Sequence, residues 1–449
     1  MTDTHPQALA QSLQKNQISR RQALWLVGAS TAATVGLQGC AQSPVTGERI
    51  VVGMSEAQER AVDAEVAPHQ FSQDLGPVQD RAVNDYVSGV GQRLQALSHR
   101  PQMPYSYRVL NANYVNAYTF PGGAMGVTRG ILADLQDESE LAALLGHEIG
   151  HVNARHAAQR QGQSMLAQVA VLGLNIAAGD SQWGGLVGLG SQVGASALLA
   201  GYSREHEREA DALGQQYLVK AGYPASGMTR LHSLLVSEQK EQPGLLETMF
   251  SSHPMSSERL ETARRAADTT YATSARAPTQ RERFMDHTAS LRRIKPTIAD
   301  CQQGELAMAT KTYPAAQAAF ASAIQRTPQD YAANFRMAQC LQAQNQAQQA
   351  RRYAEAAQAI YPQEAQAHKL SGVLALSLRD PGAAFAHLDR FDRQLPGDPG
   401  VTFLKGVALE GGGQRAQAAA QYRRFLQMGA SGQAAQYANS RLQAWGALR

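Results

Sequence analysis

In the run Leu141-Ala-Ala-Leu-Leu-Gly-His147-Glu148-Ile-Gly-His151, two histidines stand four residues apart, with a glutamate directly after the first. Leu141, Leu144, Leu145, Ile149 and Val152 recur at helical spacing, and Asp137 followed by Glu140 gives a start signal of the capping-box kind. One buried helix is therefore expected here. On it, both imidazoles leave the same face about one turn apart and can grip one metal ion. Glu148 projects roughly 100° round from His147, where it can poise a water on that metal without ligating it. The alternative is a core helix whose two histidines bond to backbone carbonyls.

This H-E-x-x-H arrangement suits zinc, one ion per chain, and a catalytic site needs a third protein ligand plus one open position. The best source is the segment Ser203-Arg-Glu205-His206-Glu207-Arg-Glu209-Ala-Asp211, which carries three glutamates. As a helix it puts Glu207 on one face with Ala210, Asp211, Gly214 and Leu218, whereas Glu205 shares a face with Glu209, Ala212 and Gln216. Glu207 is thus the inward ligand, and Glu205, Glu209 and His206 are expected at the solvated surface. Asp211, one turn beyond Glu207, is placed to accept the second ring N–H of a zinc-bound histidine.

These residues resemble the HtpX, CAAX prenyl protease and BepA group of gluzincin metallopeptidases. The resemblance rests on H-E-I-G-H, on Glu207 to Asp211 as E-x-E-A-D, and on Asn116-Ala117-Tyr118-Thr-Phe-Pro121-Gly-Gly123, and it spans about residues 50 to 265. It implies Glu207 as third ligand, in agreement with the helical face. In a peptidase of this kind Glu148 is the general base that activates water and passes its proton to the departing amine. Tyr202, Arg204 and His206 all lie near enough in sequence to help with the oxyanion, and nothing in the sequence chooses among them. The segment around His253, Ser-His253-Pro-Met-Ser-Ser-Glu258-Arg-Leu, resembles a stretch of BepA-like members in which the histidine reaches the zinc as a fourth, inhibitory ligand. Taken alone, His253 is a loop residue before a proline.

Several elements must position this chemistry. Ala82, Val83, Tyr86, Val87, Val90 and Leu94 mark an amphipathic helix beside the catalytic one, within a helical stretch from Val45 to Arg100. Residues 105 to 132 change character: Tyr105 to Leu110 and Ala124 to Thr128 read as strands around the turn at Pro121-Gly-Gly123. Asn116, Ala117 and Tyr118 there are expected to form an edge strand that pairs with an extended polypeptide substrate, the alternative being an internal hairpin. Leu166 to Leu199 is rich in Gly, Ala and Leu but has no uninterrupted apolar run of the roughly 18 residues a membrane span needs. It should form two short helices that cover the site, touch a membrane surface or pack in the core.

Residues 1 to 39 read as an export signal. Arg20 and Arg21 precede the apolar run Ala23 to Leu37, and Leu37-Gln-Gly-Cys40 resembles a lipobox, making Cys40 the expected lipidation site. The twin arginines suggest the Tat route, with Sec export as the alternative. Ala41 after the cysteine favours the inner face of the outer membrane, so the expected address is the periplasm, with the membrane as a partner through the lipid. Without the leader, 38 basic and 36 acidic side chains leave a net charge of +2, which excludes a nucleic-acid partner on charge grounds. Cys301 and Cys340 would either pair or serve as small apolar residues.

Beyond residue 296 a 34-residue period emerges. Pro328, Pro362 and Pro396 keep it, as do Gly304, Ala338, Gly372 and Gly406, and Ala316, Ala350, Ala384 and Ala418. Small residues at fixed offsets and a proline after the second helix are the tetratricopeptide signature, here without its Trp and Tyr. The expected fold is mainly α: a gluzincin domain with a small β-sheet at 40–268, a linker at 269–296 and an α-solenoid of about four repeats at 297–449. The resemblance implies quality control of outer-membrane proteins, with polypeptide substrates and the outer-membrane assembly machinery held by the repeats. The competing functional reading is a chaperone or docking module with a latent protease site. A purely structural zinc is disfavoured by Glu148, and a prenyl-protein protease by the missing membrane spans.

Overall fold

The computed structural model describes residues 40–165, 201–241 and 243–447. The stretch read as an export signal, 1–39, and the segment from Leu166 to Leu199 lie outside the described residues. The chain begins with a hairpin of β1 (Cys40–Gln42) and β2 (Arg49–Val51), which the sequence had not disclosed, and continues in α1 (Glu56–Gln73) and α2 (Arg81–Gln95). Cys40 is exposed. Asp80 caps α2 through its carboxylate, and Val83, Val87, Val90 and Leu94 turn inward as their spacing requires.

A three-stranded sheet follows, built from β3 (Ser106–Leu110), β4 (Ala117–Thr119) and β5 (Ala124–Thr128) in the order β3-β5-β4. β5 is parallel to β3, with Tyr107 opposite Met125, and antiparallel to β4, with Ala117 opposite Val127. A short helix α3 (Arg129–Asp134) leads into α4 (Glu138–Ala154), every residue of which is buried. Asp137 caps α4 by accepting from the Glu140 N–H. The reciprocal Glu140 carboxylate accepts from the Gln136 N–H, one residue earlier than a capping box requires.

Helix α5 (Arg204–Lys220) packs along α4 more extensively than any other pair of the described elements touch. Glycine makes that closeness possible. A Cβ on Gly146 would lie 3.0 Å from the Gly214 carbonyl oxygen, one on Gly214 2.8 Å from the His147 nitrogen, and one on Gly150 2.9 Å from the Ala210 carbonyl oxygen. The two backbones therefore touch directly, which fixes the separation of the side chains they carry.

The first layer closes with α6 (Ser226–Glu241), α7 (Pro243–Ser252) and α8 (Ser257–Asp268). The stretch read as a linker, 269–296, is packed rather than a free spacer. Its α9 (Arg281–His287) and α10 (Ala289–Arg293) bury Phe284 and Leu291 in the same core as α2, α4 and the sheet. Arg283 and Tyr223 both bond the buried Glu138 at the start of α4, contacts between residues far apart in sequence that no local pattern reveals.

The repeat array is four helix pairs and a terminal helix. These are α11 (Lys295–Ala309) with α12 (Tyr313–Arg326), α13 (Tyr331–Ala343) with α14 (Ala347–Ile360), α15 (Ala365–Ser377) with α16 (Pro381–Gln394), α17 (Pro399–Gly411) with α18 (Arg415–Gln427), and α19 (Gly432–Ala444). Ala316, Ala350, Ala384 and Ala418 are fully buried. Gly304, Gly372 and Gly406 each receive a large side chain from the partner helix: Phe320, Leu388 and Tyr422. Cys301 and Cys340 are buried and unpaired, the apolar alternative of the two expected. The array sits against the first layer through Arg129, whose guanidinium bonds both oxygens of Asp330 at 2.7 and 3.1 Å and is itself held by Asn113. Among the described residues no helix is long and apolar enough to cross a membrane.

Candidate metal centre

On α4, His147 and His151 present their Nε2 atoms 3.0 Å apart. Across the α4–α5 contact Glu207 brings Oε1 to 3.3 Å from His151 Nε2 and Oε2 to 3.5 Å from His147 Nε2. From the loop after α7, His253 adds Nδ1 at 3.3 Å from His147 Nε2 and 3.1 Å from Glu207 Oε1. All four side chains are buried. A tetrahedral zinc site with bonds of 2.0–2.1 Å has ligand atoms roughly 3.3 Å apart, which is the spacing found. Three imidazole nitrogens converging on one carboxylate in a water-poor interior would be costly without a cation between them, so the donor set fits the metal.

Glu148 is 1% exposed, and its Oε1 lies 3.7 Å from His253 Nε2 while Oε2 has no hydrogen-bond partner. Burial lifts its carboxyl above the usual range, although the nearby His253 and His147 pull the other way. That is the direction a general base needs. His253 thus stands between Glu148 and the point the other ligands surround. Burial holds His151 well below its ordinary value. For His147 burial acts downward too, but Glu207 and Asp211 outweigh it and raise the ring to about 10.

Asp211 lies 2.9 Å from His147 Nδ1. Two residues that the sequence reading left without a role complete this side. Arg259 on α8 bonds both Asp211 oxygens at 2.7 and 2.8 Å and pairs with Glu207 Oε2 at 2.7 Å, while His232 on α6 sits 3.2 Å from Asp211 Oδ1. The H-P-x-x-x-x-R spacing that carries His253 also carries Arg259, and that was the available signal.

The expectation for the outer face of α5 needs correcting. Glu205 is solvated as expected, but His206 is 8% exposed and stacks on His156, ring centroids 4.2 Å apart. Glu209 is only partly exposed and reaches His156. The cause is a break in α4 at Arg155, whose φ of 60° turns the following helical residues, 156–165, back over α5. A non-glycine residue in that conformation costs on the order of 1–3 kcal/mol and persists where its surroundings over-determine it. Here buried Glu59 binds Arg155 Nε at 2.7 Å, and Arg100, bonded to the same carboxylate, also holds the Val152 carbonyl. Of the three oxyanion candidates, Arg204 is exposed, and Tyr202 stacks on His151 at 3.9 Å.

Asn116, Ala117 and Tyr118 are all buried at the outer end of the sheet, in and beside β4, which pairs only with β5 among the described residues and packs beside α4. Tyr118 donates to Asp74, and a carboxylate from α1, Asp63, accepts from the Gly122 and Ala124 amides of the turn that joins β4 to β5. Burial lifts Asp63 to about 7, with the two amide bonds acting the other way.

A buried H-E-x-x-H helix, a glutamate from a following helix and a short sheet beside them define a metallopeptidase domain of the zincin type. Residues 81–267 match the profile of peptidase family M48, and residues 307–374 match that of the tetratricopeptide repeat. The chain carries an M48 peptidase domain followed by tetratricopeptide repeats. It is 29% identical over 227 residues to the beta-barrel assembly-enhancing protease of Yersinia pestis, an alignment covering 48% of this chain and 46% of that protein. It is 28% identical over 196 residues to the protein of the same name from Escherichia coli, covering 42% and 40%. With the metalloprotease YcaL of Escherichia coli it shares 30% identity over 158 residues, covering 35% and 60%. The chain spans about half the length of the curated relatives it matches.

Proposed function

We propose that this chain is a zinc metalloendopeptidase of the periplasm that cleaves misassembled outer-membrane proteins. In this reading it is lipid-anchored at Cys40, and its repeats hold the substrate or its assembly machinery. The observation that carries the catalytic part is the convergence of His147, His151 and Glu207 at metal-ligand spacing with the unpartnered Glu148 oxygen beside them. Zinc held there would supply a Lewis acid for water and for the scissile carbonyl. Glu148 takes the proton of the attacking water and delivers it to the leaving amine. Asp211 holds His147 through Nδ1 and is itself held by Arg259, so the imidazole keeps one orientation throughout. β4, at the end of its sheet among the described residues, would offer backbone groups to an extended substrate. The outer-membrane role rests on the named relatives and on the sequence of the leader.

A second reading has its own observation. His253 Nδ1 occupies the fourth place around the centre, the one catalysis needs open, so the chain as seen is latent and works mainly as a docking module until this loop moves. Casein hydrolysis by residues 41–449 tests both. Glu148→Gln should lose activity by about 10²–10⁴ while keeping its zinc, and His253→Ala should raise it. Equal zinc and equal inactivity in wild type and both variants would retire the peptidase reading in favour of docking.

A further inference from the structure

His151 has a partner that no reading of the motif assigns. Its Nδ1 lies 2.9 Å from Nδ1 of His156, and Nε2 of His156 lies 3.2 Å from Glu209 Oε2 at the edge of the domain. His156 is fully buried, and His206 stacks on its ring. On an unbroken helix, a residue five positions beyond His151 would project about 140° away from it. The left-handed turn at Arg155, pinned by Glu59 and Arg100, is what brings the two rings together.

We propose that His156 and Glu209 are positioning residues for the metal centre, acting through His151. The inference rests on the metal-centre reading and deepens it. A hydrogen lies between two ring nitrogens only if one donates and the other accepts. His151 turns Nε2 toward His147 and Glu207, so its hydrogen is on Nδ1 and is donated to His156 Nδ1. His156 then carries its own hydrogen on Nε2 and donates it to Glu209. The chain fixes the tautomer and ring angle of His151, as Asp211 does for His147, so each of the two histidines on α4 has its own carboxylate anchor: direct for His147, relayed through an imidazole for His151.

The test is metal affinity, measured by chelator competition with zinc and by cobalt(II) absorption, on residues 41–449 as wild type, His156→Leu, His156→Asn and Glu209→Ala. His156→Leu leaves the Nδ1–H of His151 without an acceptor and should weaken zinc binding about 10- to 100-fold, with an altered cobalt spectrum. His156→Asn puts an amide oxygen near the place of Nδ1 and should recover most of that loss. Glu209→Ala should weaken binding several-fold with the metal-free melting point unchanged, which keeps the question decidable if His156→Leu does not fold. Wild-type affinity in Glu209→Ala together with no advantage of Asn over Leu overturns the relay. A wild-type chain that binds neither metal overturns the centre itself, and the relay with it.

Discussion

Small residues bring helices close both between α4 and α5 and in the repeat array, and they do so differently. Between α4 and α5, the glycines face backbone: Gly146 meets the Gly214 carbonyl and Gly150 meets that of Ala210. In the repeat array, Gly304, Gly372 and Gly406 face side chains, those of Phe320, Leu388 and Tyr422. A backbone contact sets the helix separation rigidly, and that separation is what places Glu207 against His147 and His151. A side chain seated on a glycine gives way by rotating or shifting, so the array tolerates loss of its consensus aromatics and still stacks. Precision is concentrated where four ligand atoms must meet.

The seam between the two regions should break most severely. Arg129→Met leaves Asp330 buried without its cation, and removing one partner of such a pair costs about 3–5 kcal/mol. Denaturant unfolding should show that loss, with the repeats separating from the peptidase layer as an independent transition. Next comes the contrast itself. Gly214→Ala, whose Cβ would meet backbone at 2.8 Å, should lower stability by about 3 kcal/mol and release bound zinc. Gly406→Ala, whose Cβ would meet the Tyr422 ring at 2.5 Å, should cost about 1–2 kcal/mol and leave zinc content unchanged. Equal zinc retention in both would erase the distinction drawn between the regions.

A smaller effect tests the turn that ends β4. Asp63 is raised in the folded chain from an ordinary value near 3.8 to about 7, by burial first and the nearby Glu59 last. The folded state therefore binds the extra proton, and the stability this group contributes is fully present below pH 3.8 and lost as pH rises through about 7. Melting temperatures of wild type should fall across that window on this account. Asp63→Asn, which has no proton to release at this position, should lack that slope.

Much of this was legible from spacing. The i, i+4 pair on a helix of apolar periodicity, the face of α5 that carries Glu207, and the 34-residue period all report local geometry, and local geometry is what a sequence pattern encodes. What stayed hidden depends on contacts between distant residues. His156 reaches His151 only because Arg155 adopts a left-handed turn held by Glu59, 96 residues away. The stretch at 269–296 reads as polar and basic, yet its Arg283 binds the buried Glu138 and its Phe284 enters the core. β1 and β2 are three residues each, too short to show a period.

The proposed function turns on one metal ion at the point these ligands surround. A crystal of the zinc-supplemented chain from residue 41 onward, measured above and below the zinc absorption edge, tests it directly. One anomalous peak per chain is expected, about 2.0–2.2 Å from His147 Nε2, His151 Nε2 and a Glu207 oxygen. No peak there, or a peak elsewhere with these three side chains still in mutual contact, would contradict it.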